Sequence, residues 1–515
     1  MKNIVETAIV SAKQMQLIES QVFAAGMPVA ALMEKAARLC FERIKSLYPL
    51  AQNASVGILV GPGHNGGDAL VIARELYLAG YHVKIFRPFF KLKQLTAQHA
   101  SYVTSLGIVF YEEIQPLREC QLIVDGLFGF GLTRDLPENI IQVVELLNSW
   151  SQPIVSIDLP SGINTDTGSV MGVAIKATHT FCLGLWKKAF FQDQALEYFG
   201  SCERIDFGLL RHHIWSVLPQ PAPVRQMTMA IALDFLPVPR PAITYKYRQG
   251  HLLLICGSRT YAGAAILAAL GARASGVGML SVAVPESLKT LLSSHLPEAL
   301  IVDCPEDKEG AIASLPFSAT DLSHFDLVAC GPGLTTNAKS VVAKVLQSEC
   351  PLLLDADGLN ILAEHNVIEV LNDRAAPTVL TPHLGEFKRL FPEITDIDNR
   401  LDAVQTAAET SSAIILLKGA RTAIANSQGL IWIIPQSTPA LARGGSGDVL
   451  TGLTGGLAAQ DLKTATSSLF NTVATSAWWH AQAGIKAAKE RTELGVDATT
   501  LAQYLTSTIN QFLSN

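Results

Sequence analysis

The chain has 515 residues, of which 49% are hydrophobic and 16% are charged, and its formal net charge is −6. This length exceeds what one hydrophobic core normally serves, and the composition excludes extended disorder. The negative charge balance provides no overall basic field for nucleic acid or an anionic membrane, so we expect small molecules as partners, with no nucleic acid and no membrane. The 8 cysteines form no CxxC pair and the first residues are not an apolar leader, so we expect a cytoplasmic protein.

The first half of the chain alternates short apolar runs with stretches of helical period. Strands are predicted at 55–60, 82–86, 121–124 and 153–157, and helices at 69–79, 91–106 and 138–150. This alternation predicts a parallel, Rossmann-like sheet with helices on both faces, which is a three-layer α/β/α domain.

Two proline-rich segments, 218–223 and 236–241, interrupt the middle of the chain. We expect an N-terminal domain at 1–218, a linker at 219–226 and a C-terminal domain at 227–515. The second half repeats the α/β alternation, with strands predicted at 251–256, 327–330, 352–355, 378–381 and 414–418.

A glycine-rich turn, GPGHNGGD at 61–68, follows the first predicted strand. Its glycines match the G-x-G-x-x-G pattern of dinucleotide sites. Asp68, however, would place a carboxylate where a pyrophosphate docks, and the strand at 82–86 ends in Arg87-Pro88 where a ribose-binding acid is expected. An ordinary nicotinamide redox site and a purely structural turn both remain open for this motif alone.

Two more loops follow predicted strands of the same sheet, VDGLFGFGLTRD at 124–135 and IDLPSG at 157–162. Both should emerge at its carboxyl edge, where α/β proteins bind ligands. Asn65, Asp125 and Ser161 offer oxygen ligands for a cation, and Asp158 could transfer a proton. Each of these residue types is more often a turn former or helix cap, so the cluster carries more weight than any member.

The second half has its own glycine-rich turn, GGSGD at 444–448, before a helix predicted at 449–460. Its amides could stabilise a transferring phosphate while Asp448 takes a proton from an attacking hydroxyl, as in a sugar or vitamin kinase. The alternative is a plain glycine turn with an aspartate cap. Loops at 331–334, 355–360, 381–386 and 418–422 add carboxylates, His383 and Lys418 at the same predicted edge.

The first half resembles a known family. The run GPGHNGGDALVIAR, with VDGLFGFGLTRD, IDLPSG and Leu32-Met33-Glu34, is similar to the NAD(P)H-hydrate epimerase domain, also called the YjeF N-terminal domain. The resemblance implies interconversion of the two C6 epimers of hydrated NADH or NADPH. It implies substrate contacts from His64, Asn65, Gly66, Gly67, Asp68, Gly129, Phe130, Gly131, Leu132, Thr133, Arg134, Asp135 and Asp158, and potassium ligands in Asn65, Asp125 and Ser161.

This half departs from the family's usual NNGGDG at two positions. His64 replaces the first Asn and Ala69 replaces the last Gly. The proposed ion ligand Asn65 is retained, so the departures bear on substrate fit more than on the ion. A catalytically silent binding domain stays open as an alternative.

The second half resembles the ADP-dependent NAD(P)H-hydrate dehydratase domain of the ribokinase-like superfamily. The motifs are KYRQG, YAGAA, TPHLGE, LKGART and GGSGDVLTG, between residue 227 and the C-terminus. By motif, Ala264, Gly333, His383 and Asp448 would contact the hydrated nucleotide. The residues implied for the adenine nucleotide are Lys418, Gly419, Ala420, Arg421, Thr422 and Gly447.

Together the two resemblances imply a repair enzyme for the hydrates NADHX and NADPHX. The first domain would supply the usable epimer, and in the second Asp448 would deprotonate the C6 hydroxyl, which accepts a phosphoryl group from ADP before phosphate leaves. NAD(P)H, AMP and phosphate would be the products, with Mg²⁺ neutralising the diphosphate and K⁺ in the first domain. We also expect a homo-oligomer.

The main alternative is a ribokinase-like kinase for a vitamin precursor, fused to a non-catalytic nucleotide-binding domain. TPHLGE and LKGART on neighbouring loops disfavour it. A nucleotide-sensing protein without turnover is a second alternative, in which substitution of Asp448 would leave the protein's activity unchanged.

Overall fold

The computed structural model describes residues 6–316, 319, 321–465 and 467–513. The chain divides into two compact units between Pro223 and Val224. This point lies inside the segment expected to be a linker, and the last three residues of that segment form a strand of the second unit. The first five residues, which belong to the stretch read as lacking a leader, lie outside the described residues.

The first unit alternates strands and helices along the chain. Its strands are β1 Ile9–Val10, β2 Ser55–Val60, β3 His82–Phe86, β4 Val109–Tyr111, β5 Leu122–Gly126, β6 Ile154–Ile157, β7 His179–Leu183, β8 Trp186–Lys187 and β9 Ser201–Ile205. Its helices are α1 Ala12–Ala24, α2 Val29–Leu47, α3 His64–Leu78, α4 Gln94–Ser105, α5 Glu138–Asn148, α6 Leu196–Phe199 and α7 Arg211–Trp215.

The main sheet of this unit is parallel, with strand order β4-β3-β2-β5-β6-β7-β9. The order reverses between β2 and β5, because the chain adds β3 and β4 on one side of β2 and β5 on the other. Ligands of open α/β sheets bind at such a switch point, outside the carboxyl ends of the strands. The loops after β2, β5 and β6 therefore share one edge, as the sequence predicts.

Helix α3 begins earlier than its sequence pattern predicts. It starts at His64 rather than residue 69, so Asn65 to Asp68 form its first turns. Glycine is a poor helix former, but a Cβ on Gly66 would lie 2.0 Å from the carbonyl oxygen of Gly61. The helix can thus pack directly onto the turn that leads into it, and this tertiary contact overrides local propensity.

The second unit repeats the pattern around a larger sheet. Its strands are β10 Val224–Gln226, β11 His251–Ile255, β12 Met279–Pro285, β13 Leu300–Cys304, β14 Leu327–Cys330, β15 Leu352–Leu354, β16 Thr378–Leu380, β17 Ile414–Leu417, β18 Ala423–Ala425 and β19 Ile431–Ile433. Its helices are α8 Met229–Asp234, α9 Ala262–Ala274, α10 Lys289–His295, α11 Lys339–Leu346, α12 Asp357–Leu362, α13 Val367–Asn372, α14 Leu384–Leu390, α15 Arg400–Ser411, α16 Ser446–Thr464, α17 Leu469–Arg491 and α18 Ala498–Leu513.

The order of this sheet is β10-β19-β18-β17-β16-β15-β14-β11-β12-β13. It is parallel except for the pairs β17–β18 and β18–β19. The order reverses between β11 and β14, so the loops after these strands and after β15, β16 and β17 meet at one edge. The predicted class, two α/β units built on largely parallel sheets, is confirmed.

Helices α9 and α16 make the closest packing of the second core. A Cβ on Gly452 of α16 would lie 1.7 Å from the carbonyl oxygen of Ala268 on α9. Small residues let the two helix backbones touch, and Val449 and Leu453 beside the contact are fully buried. This packing fixes α16, whose first turn carries Asp448. Among the described residues, none of the helices has the length and apolar character needed to cross a bilayer.

Candidate active sites

The first unit contains a cavity of about 1020 Å³ at the switch point of its sheet. Of the residues implied by the resemblance, the structure places ten on its wall: His64, Asn65, Asp68, Gly129, Phe130, Gly131, Leu132, Thr133, Arg134 and Asp158. Gly66 and Gly67 lie in buried turns of α3 and do not line the cavity, and neither does Asp135. The three loops chosen from the sequence therefore converge on one cavity.

Asp158 is the most firmly held side chain of this cavity. It lies just after β6 with a positive φ of 70°, which a non-glycine residue rarely adopts. Its Oδ2 accepts the N–H of Phe130 at 2.9 Å, and its Oδ1 is 2.6 Å from Nζ of Lys187. These contacts fix the carboxylate in place.

Lys187 on β8 was not identified from the sequence. Its side chain is 0% exposed, and Nζ donates to the carbonyl of Leu183 as well as to Asp158. Burial favours the neutral amine, but the carboxylate of Asp158 outweighs it, so the pKa of Lys187 lies above its usual value. The sequence shows that Lys187 stands among the aromatic residues Trp186, Phe190 and Phe191. It does not show the pairing with Asp158, which lies 29 positions away.

Asp68 and Glu19 add two further carboxyl groups to the cavity wall. Burial raises the pKa of Asp68 well above its ordinary value, and the nearby charges of Asp158 and Glu19 raise it further. The cavity thus combines a carboxyl group paired with Lys187 and two carboxyl groups whose pKa values are raised. Such a set can both donate and accept protons.

The three candidate potassium ligands gather around the segment 128–129. Ser161 Oγ donates to Asp125 Oδ1 at 2.6 Å, and the N–H of Phe128 donates to Ser161 Oγ at 2.9 Å. A Cβ on Gly129 would lie 3.3 Å from Oδ1 of Asn65. The amide nitrogen of Asn65 is buried without a hydrogen-bond partner among the described residues. Carboxylate, hydroxyl and amide oxygens are the ligands that hard cations prefer, so the side-chain oxygens of this group fit such an ion.

The second unit places Asp448 in the first turn of α16. Gly445 caps this helix and Ser446 begins it, so the glycine turn presents backbone amides at a helix N-terminus. Burial raises the pKa of Asp448 to about 7; the charge of Asp355 adds to the shift, and Lys418 opposes it. A carboxylate with such a pKa suits a general base at neutral pH.

Lys418, at the end of β17, is tied into an internal network. Its Nζ lies 2.8 Å from Oδ1 of Asp355 and 3.8 Å from Oε2 of Glu386. Asp355 Oδ2 also accepts the hydroxyl of Thr451 on α16 at 2.6 Å. A Cβ on Gly447 would lie 3.6 Å from Nζ of Lys418. The lysine therefore links the GGSGD turn to the ends of β15 and β17, a role that the sequence did not reveal.

The remaining candidates of this unit occupy neighbouring loops. A Cβ on Gly333 would lie 2.8 Å from the Cβ of Ala264, so these two residues are adjacent. His383 caps α14, with Nδ1 accepting from the amides of Gly385 and Glu386. Its side chain stays 57% exposed, and its Nε2 lies 3.5 Å from Oε1 of Glu386. Gly419, Ala420, Arg421 and Thr422 form the turn between β17 and β18.

Arg443 directly precedes the glycine turn. Its guanidinium donates to the carbonyls of Leu494 and Val496 at 3.3 and 2.8 Å. These hydrogen bonds hold the segment before the glycine turn in place, and Asp448 keeps its position in the first turn of α16.

The chain thus has two α/β units, with a polar cavity at the edge of the sheet in one and a glycine-rich turn at a helix N-terminus in the other. A family described as YjeF-related protein N-terminus matches residues 29–189, and one described as NAD(P)H-hydrate dehydratase matches 252–507. The chain belongs to the family of bifunctional NAD(P)H-hydrate repair enzymes, and the alternative of a vitamin-precursor kinase is not supported.

Two curated relatives support this assignment over 98% of the chain. The bifunctional NAD(P)H-hydrate repair enzyme Nnr of Synechocystis sp. is 55% identical over 98% of this chain and 95% of that protein. The protein of the same name from Thermosynechococcus vestitus is 49% identical over 98% of both chains. A solved Bacillus subtilis ADP/ATP-dependent NAD(P)H-hydrate dehydratase, co-crystallised with ATP/Mg²⁺, is 28% identical, covers 56% of this chain and 98% of that chain, and has a TM-score of 0.46.

Proposed function

We propose that this chain repairs hydrated NADH and NADPH in two steps. The N-terminal unit interconverts the R and S epimers, and the C-terminal unit dehydrates the S epimer at the expense of ADP, giving NAD(P)H, AMP and phosphate. The observation that carries the proposal is Asp448, a general base at the N-terminus of α16, in a chain whose full-length relatives bear the repair activity in their names. An elimination site shaped around one hydroxyl orientation needs an epimerase to use the other.

In the second unit, Asp448 removes the proton of the C6 hydroxyl, and the hydroxyl oxygen attacks the β-phosphorus of ADP. The bond from this phosphorus to the bridging oxygen breaks, and AMP leaves with the bonding pair. The amides of the GGSGD turn stabilise the charge that develops on the transferring phosphoryl group. Lys418, fixed by Asp355, keeps a positive charge beside Gly447. Phosphate then leaves C6 as the ring nitrogen donates electrons and a C5 proton is lost, which restores the dihydropyridine.

Magnesium fits this site as a companion of the nucleotide. The described residues contain no group of three His, Cys, Asp or Glu side chains able to hold a metal. Mg²⁺ commonly binds through substrate phosphates and water with few protein ligands, and on ADP it would neutralise the diphosphate.

Potassium is proposed at Asn65, Asp125 and Ser161 in the first unit. The side-chain oxygens gathered around 128–129 support this site. We expect K⁺ to raise the melting temperature of the first unit by a few degrees relative to Na⁺, and Asn65→Leu to abolish this difference. An equal response of the wild-type protein to both ions would contradict the site.

The state of the cysteines bears on the expected location of the protein in the cell. All eight are free thiols, and seven of them are buried. Reducing compartments maintain thiols in this state, which supports the expected cytoplasmic location. A homo-oligomer remains part of the proposal, and the molecular mass in solution tests it.

The experiment that tests the function uses an epimeric mixture of hydrated NADH with ADP, Mg²⁺ and K⁺. Reduced-nicotinamide absorbance should recover completely with the wild-type chain and not at all with Asp448→Asn. Release of a stable phosphorylated product without recovery would instead favour a kinase.

A further inference from the structure

Glu19 on α1 is a cavity carboxylate that none of the motifs covers. It lies on the wall of the 1020 Å³ cavity together with Asp68, Asp158 and Lys187. The family match of the first unit begins at residue 29, after this helix ends at Ala24. Unlike Asp158, its carboxylate makes no hydrogen bond or ion pair with the described part of the chain. A partly buried carboxyl group that faces a cavity without a protein partner is free to contact a ligand.

The surroundings of Glu19 also set it apart from Asp158. Burial raises the pKa of Glu19 to about 7, with Lys187 opposing the shift and Asp158 adding to it. Protonated and ionised forms therefore coexist at neutral pH. Asp158 instead accepts the amide of Phe130 and is paired with Lys187. A carboxyl group without a protein partner and a second one paired with a cation, on the same cavity, suit the roles of an acid and a base.

We propose, on the basis of the epimerase function proposed above, that Glu19 is the general acid of the epimerisation and Asp158 its general base. Glu19 gives its proton to the C6 hydroxyl, the C6–O bond breaks, and the oxygen leaves as water with the bonding pair. The lone pair of the ring nitrogen forms a C=N bond to C6. Water then adds to C6 from the other face, the π pair returns to nitrogen, and Asp158 accepts the proton lost by the water.

Atoms, protons and electrons balance in this reaction. One water leaves and one is added, one proton passes from Glu19 to Asp158, and exchange with solvent returns both groups to their starting states. No electrons are gained or lost overall, so the step needs no oxidant or reductant. In the reverse direction the same groups exchange roles, with Asp158 as acid and Glu19 as base.

The test follows epimerisation alone, in the full chain, with the purified R epimer of hydrated NADH, K⁺ and no ADP. Glu19→Gln keeps the size of the side chain but removes its acid function, so kcat should fall by on the order of 10²- to 10⁴-fold while KM changes less than about threefold. Glu145→Gln, which removes the same charge from the exposed face of α5, should behave as wild type. An unchanged kcat in Glu19→Gln, or a loss confined to KM, would overturn the assignment.

A second measurement needs no variant. Because the acid form of Glu19 is required, kcat of the wild-type chain should fall as pH rises through about 7. The charged groups that act on Glu19 from the other elements are Asp68 on α3, Asp158 after β6 and Lys187 on β8. A kcat that does not fall above this pH rules Glu19 out as the acid. Absence of epimerisation in the wild-type chain would instead refute the proposed epimerase function. The ADP-dependent dehydration of the S epimer is measured separately and tests the proposed function of the second unit.

Discussion

The surroundings of Asp448 favour its neutral form over the carboxylate. This preference determines how dehydration depends on pH. Burial and the neighbouring Asp355 raise the pKa of Asp448 to about 7, despite Lys418. The base must be ionised to accept the hydroxyl proton. We therefore expect kcat/KM for the S epimer to rise with pH through about 7 and then level, measured with saturating ADP. A profile that falls over this range would show that Asp448 acts in its protonated form.

The pair of Lys187 and Asp158 should contribute to the stability of the first unit. Lys187→Met would leave the carboxylate of Asp158 buried without its cation, at a cost of about 3–5 kcal/mol in the free energy of unfolding of the first unit. The double variant Lys187→Met/Asp158→Asn should recover much of this loss, since it removes the buried charge. Denaturant unfolding of the chain measures both.

The exposed pair of Lys176 and Glu197 provides the matched control. Its Nζ–Oε2 distance is 3.5 Å, and the side chains are 55% and 63% exposed. Lys176→Met should change the free energy of unfolding by about 0–1 kcal/mol, because solvent screens such pairs. An equal effect of Lys176→Met and Lys187→Met would contradict the importance of burial.

At the scale of elements, the close contact of α9 and α16 holds the catalytic turn. Gly452→Ala would place a Cβ 1.7 Å from the backbone oxygen of Ala268, which cannot rotate away. We expect a loss of about 1–3 kcal/mol and a fall in dehydration, because α16 must shift and Asp448 moves with it. Epimerisation, which takes place in the other unit, should be unaffected.

Gly263→Ala on α9 tests whether packing, not helix composition, causes the effect. A Cβ at Gly263 meets nothing within 4 Å, and alanine is the better helix former. The stability of this variant should stay level or rise by up to about 1 kcal/mol. Calorimetry of the two glycine variants would contradict the argument if both lost the same stability.

Local sequence predicts some of these elements well and misses others for physical reasons. The bounds of β2, β3 and β14 agree with prediction, since each is an apolar run that ends at a turn. The start of α3 was missed because Gly66 and Gly67 lie near its beginning, and packing against Gly61 decides its conformation. Strand β10 was read as linker because its three residues gain their pairing from β19, over 200 positions away.

Site residues that stand in a motif could be predicted from the sequence, whereas those that the fold brings together could not. Asp158 and Asp448 stand out in motifs, and the structure places both where strand-end loops converge. Lys187 and Glu19 do not, because each meets its neighbours through the fold and not through nearby sequence. The tie between Lys418 and Asp355 joins two strands 63 positions apart, so the sequence could suggest a cation at the edge but not its partner.

At the scale of the whole molecule, each unit has a hydrophobic core and a set of titratable groups of its own. The two activities should therefore be separable by single substitutions. In an epimeric mixture with ADP, Asp158→Asn should restore absorbance quickly for the S share and then only at the rate of spontaneous epimerisation. Asp448→Asn should restore none, yet it should still interconvert the epimers.

A mixture of the two variant proteins decides whether the units depend on each other. Each variant retains one intact site, and the hydrate is a small molecule that can diffuse between proteins. We therefore expect Asp158→Asn and Asp448→Asn together to restore the absorbance completely, at a rate that rises with the concentration of either protein. Recovery that stalls at the S share in the mixture, but is complete with the wild-type chain, would show that the epimer must pass between sites of the same chain. The fused arrangement would then contribute transfer of the substrate in addition to joint expression of the two units.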